Sequence, residues 1–478
     1  MYPKEIPSFI SGKEVVPSEP QERLEKYCPS DGSFLATVPG VGTTELAAAL
    51  EAARVAQKEW RAMSVATRAE VLKRATVLLS ERASEAIEIV RTECGRPDKE
   101  LSGEVGSAVA AGNFFSGLAH EFEEKILPSS SLQRTVSLRR APVGIGAIFT
   151  PFNTPLAQIA AKTFPALLCG NAIILKAHEL TPHIGVWFAG VLKDAGIPDG
   201  LFNVLQGTGA RIGSLIVAHP DIAFISFTGS SGTGARIVEA SAHRLAKVSI
   251  EGGGKNPFVV CDDADIEKAA ALASASMMVD NGQRCAAATR FIVFDTIYDT
   301  FVTSLKNKLA QLKIGAGREA DIGALISEKR LTEVITAVEG AVARGAHVVC
   351  GGTRLDVPGY FMEPTLLDGV SQRDEISQRE LFGPVGVLHR VANIEDAIAL
   401  ANDSSYRLSA AIHTGNNAYV EQFVREHGSG VVRVNGPTFG SEPHMPFGGP
   451  GLSGNGWREP GVTALDFYGN WQQVSVDS

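Results

Sequence analysis

Residues 143–179 read VGIGAIFTPFNTPLAQIAAKTFPALLCGNAIILKAHE, and this stretch decides the fold class. Residues 144–149 and 172–175 are short apolar runs of strand length, and residues 156–168 between them keep apolar side chains at helical spacing. A strand, a helix and a second buried strand make a βαβ unit, in which the strands run parallel and are covered on both faces. The alternation continues with a helix over 183–195, a strand at 202–205, a helix at 212–218 and a strand at 222–227. This predicts an α/β domain built on a parallel sheet. After Gly252 a second α/β segment begins, with an apolar run at 256–260, a helix over 268–279 and a strand at 291–294. Helices over 298–312 and 328–344 follow. Upstream, residues 7–39 read as short strands and turns, 43–92 as helices stopped by Gly95 and Pro97, and 101–123 as another helix. Residues 134–139 alternate like a strand far from any sheet partner. Such a strand suits an ordinary surface hairpin or a crossing to another subunit.

Composition narrows the function classes. A chain of 478 residues, 44% hydrophobic and 20% charged, can bury two or more domain cores. Its net charge of -9 and the lack of a basic stripe argue against nucleic acid or an anionic membrane as the main partner. The N-terminus has no basic segment followed by an apolar run, and no apolar stretch is long enough to span a bilayer. The six cysteines are scattered, without C-x-x-C pairs or a Cys/His cluster. Reduced thiols, a cytoplasmic location and no metal are therefore expected.

Ligands bind at the ends of parallel strands. Thr150-Pro151-Phe152-Asn153-Thr154-Pro155 occupies one such end, where an asparagine amide held between prolines is a rigid donor suited to an oxyanion. Lys176 and Glu179 at the next strand end can bind ribose hydroxyls. Gly229-Ser230-Ser231-Gly232-Thr233-Gly234 opens a helix with the glycines and hydroxyls that favour a phosphate. In Glu251-Gly252-Gly253-Gly254 a carboxylate precedes three glycines, which suits a general base and equally a domain hinge. Finally, Cys285 lies in Gly282-Gln283-Arg284-Cys285 beyond a helix break at Asn281-Gly282, with small Ala286 to Ala288 beside it. That is room for a nucleophilic thiolate and its ligand, although a buried cysteine can equally be a small apolar side chain.

The ordered motifs TPFN, LKAHE, FTGSSGTG, EGGGKNP, GQRC, ELFGP and PFGG, spread over nearly the whole chain, resemble the aldehyde dehydrogenase superfamily. The resemblance implies two parallel-sheet α/β domains and a small β oligomerisation element. Residues 1–123 and 143–252 would bind the dinucleotide, 253–462 would be catalytic, and 124–142 with 463–478 would build a homodimer or homotetramer. It also implies NAD(P)-dependent oxidation of an aldehyde to the acid. Cys285 would be the nucleophile, Asn153 the oxyanion donor and Glu251 the base that activates water. Lys176, Glu179, Gly229, Ser230, Glu380, Phe382, Thr150 and Phe152 would surround the cofactor. A carboxylate at Glu179 repels a 2′-phosphate, which favours NAD over NADP.

Three departures bear on selectivity. LKAHE replaces the common Lys-Pro-[Ser/Ala]-Glu, FTGSSGTG carries Gly232 where a larger residue is usual, and Trp457 stands as an insertion before Arg458-Glu459. Thr154, Gln158 and Ala161 occupy tunnel positions that are often large and apolar in relatives. With Arg284, Ser441 and His444 they suggest a polar, acidic or bulky aldehyde. Glu251 disfavours transfer of the acyl group to coenzyme A, and the intact Cys285, Asn153 and Glu251 disfavour a non-catalytic protein.

Overall fold

Five parallel strands form the centre of the first sheet, in the spatial order Lys247–Glu251, Ile222–Thr228, Ile145–Phe149, Ala172–Lys176 and Phe202–Val204. Two antiparallel strands from the N-terminus, Ser8–Ile10 and Lys13–Val15, extend it beyond Phe202–Val204. Every residue of Ile145–Phe149 and of Ala172–Lys176 is buried, as a strand covered by helices on both faces requires. The computed structural model describes residues 2–122 and 124–477. Glu123, at which the expected helix and the first domain segment end, lies outside them.

The strand Lys247–Glu251 escapes a search for apolar runs. It offers Val248 and Ile250 alone, while Ser249 is buried without being apolar. Its pairing with the neighbouring strand places Thr228 opposite Glu251, and on the other side Phe149 lies opposite Lys176. Thr150, Lys176, Thr228 and Glu251 thus gather at one edge of the sheet, the carboxyl edge where parallel sheets bind ligands. The residues expected as one helix over 212–218 form a wide turn at Gly209–Gly213 and a short helix Ser214–Ala218.

The helix Pro155–Leu168 starts with proline in its first turn, where no backbone donor is needed. It is buried nearly throughout, Lys162 included. Trp60 of the helix Thr43–Ala62 is fully buried and donates its indole N–H to the Leu167 carbonyl at 2.8 Å. Truncating a side chain buried in this way costs about 3–5 kcal/mol.

The second sheet runs His347–Cys350, Thr365–Asp368, Val385–Val391, Ala288–Phe294, Asn256–Val260, Ser409–His413, Val431–Val434, all parallel except the first. It has its own core around Phe258, Phe291 and Phe301. The third sheet pairs Gly469–Asp477 with Arg134–Pro142 along their whole length, with Lys125–Leu127 on the far side. The stray strand of the sequence therefore finds its partner at the opposite end of the chain. Among the described residues no helix is long and apolar enough to cross a membrane.

Candidate active site

The helix Ile266–Met278 is capped by Asp265, whose carboxylate accepts from the Lys268 N–H at 3.1 Å. It does not run on to the cysteine. Asp280, Asn281 and Gly282 follow with φ of 52°, 59° and 73°, consecutive left-handed residues that reverse the chain before Cys285. Left-handed backbone is costly for residues other than glycine, of order 1–3 kcal/mol each. At Gly282 the requirement is also steric, because a Cβ there would overlap the backbone of Gly383 and Pro384. Cys285 is half-buried, and its carbonyl accepts from Asn256 Nδ2 at 2.7 Å. Burial pushes its thiol up to about 12; Arg284 pulls it down, while Glu380, Glu251 and Asp280 push it further up. A neighbouring base is needed to make the thiolate near neutral pH.

Glu251 ends its strand facing the same cavity. Its Oε2 accepts from Thr228 Oγ1 at 3.0 Å and lies 4.0 Å from Lys162 Nζ, while Oε1 is buried without a partner among the described residues. Burial raises the carboxyl to about 7, with Lys162 opposing, Glu459 adding and the Thr228 hydroxyl opposing. Such a group can accept and release a proton near neutral pH. The three glycines after it are packing residues. A Cβ on Gly252 would overlap the Leu452 carbonyl, one on Gly253 the Glu380 carboxylate, and one on Gly254 the Cys285 carbonyl.

Behind Glu251 lies a buried network that no sequence motif announced. Lys162 Nζ donates to Glu459 Oε2 at 2.6 Å and to Ser226 Oγ at 2.9 Å, and Tyr468 donates to Glu459 Oε1 at 3.1 Å. The one local signal is a charged side chain, Lys162, on a helix that is otherwise uncharged and largely apolar. Asn153 is buried; its backbone carbonyl accepts from Arg96 at 2.9 Å. Among the described residues its side-chain amide has no protein partner.

One cavity of about 1980 Å³ is lined by Cys285, Asn153 and Glu251, by Thr150, Phe152, Lys176, Glu179, Gly229, Ser230, Glu380 and Phe382, and by Thr154, Gln158, Ala161, Arg284 and Ser441. His444 is not one of its walls: its side chain is 57% exposed, 3.8 Å from Glu442. A loop residue next to a wall residue can point the other way, which sequence proximity does not reveal. Trp457 packs edge-on against Phe467 beneath Lys247, so the insertion fills the scaffold. Thr154 occupies the cap position of Pro155–Leu168, and Gln158 Oε1 lies 3.3 Å from Thr228 Oγ1, whose single proton goes to the nearer Glu251 Oε2. Arg284 donates to Asp280 at 3.0 Å with a third of its side chain exposed.

At the other end of the cavity Lys176 Nζ meets Glu179 Oε2 at 2.6 Å. Burial pushes the Glu179 carboxyl up, but the charges beside it outweigh that and hold it below its usual range. Burial pushes His178 down to about 4, which leaves it neutral at physiological pH. Glu380 accepts from the Gly254 N–H at 2.9 Å, and burial raises it to about 7. Phe382, with φ of 60°, sets its ring edge-on to Phe152 at 5.5 Å. Ser230 sits at the cap of the helix Ser231–Ser241 and donates to Thr233 Oγ1 at 3.0 Å instead of capping it.

The sequence pattern described as "Aldehyde dehydrogenase family" matches residues 15–474. This chain belongs to the aldehyde dehydrogenase family. It is 36% identical over 470 residues to an alpha-ketoglutarate semialdehyde dehydrogenase of Haloferax volcanii, covering 96% of this chain and 97% of that one. It is 34% identical over 449 residues to an NADP+-dependent succinate-semialdehyde dehydrogenase of Escherichia coli K12, covering 94% and 93%. A crystal structure of an NAD-dependent aldehyde dehydrogenase from Sinorhizobium meliloti superposes with a TM-score of 0.95 at 29% identity, covering 99% and 95%. This aldehyde dehydrogenase is therefore an oxidoreductase that acts on an aldehyde with NAD(P).

The cavity residues of this aldehyde dehydrogenase fit such a dinucleotide. Among the described residues no side chain caps the first turn of Ser231–Ser241 to occupy its N–H groups, which suits a pyrophosphate, and none partners the buried Thr150 hydroxyl.

Proposed function

We propose that this dehydrogenase oxidises a polar or carboxylate-bearing aldehyde to the acid with NAD+, through a Cys285 thioester that water hydrolyses. The observation that carries the reading is Glu251, a buried carboxyl raised to about 7 in the same cavity as the cysteine. Glu251 takes the Cys285 proton, and the thiolate adds to the aldehyde carbon to give a thiohemiacetal. The Asn153 amide and the Cys285 N–H hold the oxyanion, donors that need no reorganisation as charge develops. Bound NAD(P)+ supplies the hydride acceptor that leaves a thioester on the sulfur. Glu251 releases the proton it took to solvent and then deprotonates a water that attacks the thioester carbonyl; the second proton passes to the departing thiolate, which frees the acid and the Cys285 thiol. Lys162, locked to Glu459, keeps a cation near the Glu251 carboxylate.

For the cofactor, Lys176 and Glu179 hold the adenosine ribose, the start of Ser231–Ser241 holds the pyrophosphate, and Glu380 with Phe382 borders the nicotinamide side. The anionic Glu179 supports NAD over NADP. For the substrate, Thr154, Gln158, Ala161 and Ser441 leave a small, polar wall, and Arg284 supplies a cation beside the nucleophile. The two semialdehyde-oxidising relatives support an acidic tail. The domain division at 1–123 with 143–252, 253–462, and 124–142 with 463–478 belongs to the same reading, as does a homodimer or homotetramer assembled through the third sheet.

The test is Glu251→Gln beside Cys285→Ala. Cys285→Ala is expected to abolish reduced-cofactor formation. Glu251→Gln at alkaline pH, where free hydroxide ionises the thiol, is expected to keep a burst of one reduced cofactor per site and lose about 10²–10⁴-fold in steady turnover. A Glu251→Gln enzyme that turns over at the wild-type rate, or a wild-type rate that requires coenzyme A, would refute hydrolysis by Glu251.

A further inference from the structure

Arg96 lies outside every motif and yet joins the two loops that the reaction has to align. The helix Ala83–Cys94 ends at Gly95, with φ of 65°, and Arg96 and Pro97 lead into the helix Asp98–Gly117. Gly95 sits between the two cores, because its carbonyl accepts from the Ala324 N–H at 3.0 Å. The Arg96 side chain is 2% exposed and fully engaged. Its Nη1 donates to the Asn153 carbonyl at 2.9 Å and is paired with Glu104; Nη2 is paired with Asp280; Nε reaches Glu100 at 3.4 Å.

Each partner carries the contact further. The other oxygen of Glu104 accepts from the Leu156 N–H at 2.9 Å, which fixes the first turn of the helix behind Asn153. The other oxygen of Glu100 accepts from the Asp280 N–H at 2.8 Å. Asp280 also holds Arg284, the neighbour of Cys285, at 3.0 Å. The left-handed backbone at Asp280 and Asn281 would relax without such restraints, since strain of this kind persists only where the surroundings over-determine it. Asn281 is pinned separately, accepting from Gly323 N at 2.6 Å and donating to the Ala324 carbonyl at 3.0 Å.

We propose that Arg96 is a positioning residue, a planar cross-brace that sets the Asn153 amide against the Cys285 sulfur by holding the loop at 150–155 and the loop at 280–285 in one register. The inference rests on the reading of Asn153 as oxyanion donor. A guanidinium fits the task because its rigid fork reaches a carbonyl and carboxylates in several directions at once, which an ammonium on a flexible stem does not. A displacement of about 1 Å between reacting groups costs on the order of 10²-fold in rate.

The experiment is a double-mutant cycle of Arg96→Lys with Asn153→Ala, reading kcat, KM and thermal midpoint. Arg96→Lys alone is expected to lower kcat about 10–100-fold with KM within about three-fold. In the Asn153→Ala background the same change is expected to cost less than about two-fold, because the amide it positions is gone. A purely structural role would lower the midpoint and cost the same factor in both backgrounds. Glu104→Gln keeps the shape and the Leu156 contact while removing the charge opposite Arg96, and it must show the same loss of effect without Asn153, including where Arg96→Lys yields no folded protein. An unchanged kcat, or a loss that multiplies fully with Asn153→Ala, would overturn the role of Arg96 alone. An Asn153→Ala enzyme with wild-type kcat would instead overturn the oxyanion reading beneath it, and this inference with it.

Discussion

Replacing Thr228 by valine removes a single hydroxyl from the most sensitive point of the site. Thr228 Oγ1 donates to Glu251 Oε2 at 3.0 Å, the one hydrogen bond that the buried carboxylate receives among the described residues. A hydrogen bond to a charged group contributes about 1.5–3 kcal/mol, and one pKa unit corresponds to about 1.36 kcal/mol. Loss of the donor therefore raises the Glu251 pKa from about 7 by roughly one to two units. The sign follows from the role: the base works as the anion, so activity is lost as pH falls through its pKa, and a raised pKa moves that loss to higher pH. At about pH 7 the ionised fraction drops from roughly one half to between about 10% and 1%, a loss of about 5- to 50-fold in turnover. At about pH 10 the variant and the wild type should run within about two-fold of each other. The assay is the pH profile of kcat, read from formation of the reduced cofactor, beside Thr228→Ser, which keeps the donor and should keep the profile. An acidic limb that stays near pH 7 in Thr228→Val would show that the group titrating there is not Glu251 in this contact, and the reasoning would fail.

Three other outcomes check separate parts of the reading. Glu179→Gln removes the charge opposed to a 2′-phosphate and should shift the NADP+ to NAD+ ratio of kcat/KM upward by about ten-fold or more, as a charge contact of about 1.5 kcal/mol implies; an unchanged ratio would place the selectivity elsewhere. Arg284→Gln should cost about 10–100-fold in kcat/KM for carboxylate-bearing aldehydes and little for uncharged ones of similar length, the value of a lost charge-assisted contact; equal losses on both would count against Arg284 as the anion contact. Ile126 in the third sheet is 68% exposed, and Leu132 in the turn that leads into Arg134–Pro142 is fully exposed. Ile126→Asp with Leu132→Asp should reduce the molar mass seen by light scattering, and an unaltered mass would exclude this edge as the subunit interface.

The sequence carried the chemistry where a local rule produces it. Parallel strands end in turns of proline, glycine and small polar residues, so Asn153 and Ser230 stand in recognisable loops and Lys176 at a recognisable strand end. The strand before Glu251 was illegible because KVSIE holds two apolar residues, too few to mark a run. Lys162 and Glu459 are 297 residues apart, and neither segment on its own says that they meet. The same holds for Arg96, whose partners Asn153 and Asp280 lie in separate loops of the two halves. His444 marks the opposite limit: the loop at 439–443 reaches the cavity, but the direction of one side chain in it is set by contacts and not by order along the chain.

The glycines after Glu251 show how packing decides between two readings that the sequence leaves equal. A hinge needs glycine for freedom, whereas a close contact needs it for lack of volume, and both are written Gly-Gly-Gly. Here each of the three backs onto a different group: the Leu452 carbonyl, the Glu380 carboxylate and the Cys285 carbonyl. The run therefore acts as a spacer of minimum thickness that lets the base, the nucleophile loop and Glu380 approach one backbone from separate directions. Mobility of the Glu251 side chain is then a matter of its own torsions and its link to Thr228, which is why the Thr228→Val profile, and not a glycine substitution, probes the base without moving the nucleophile.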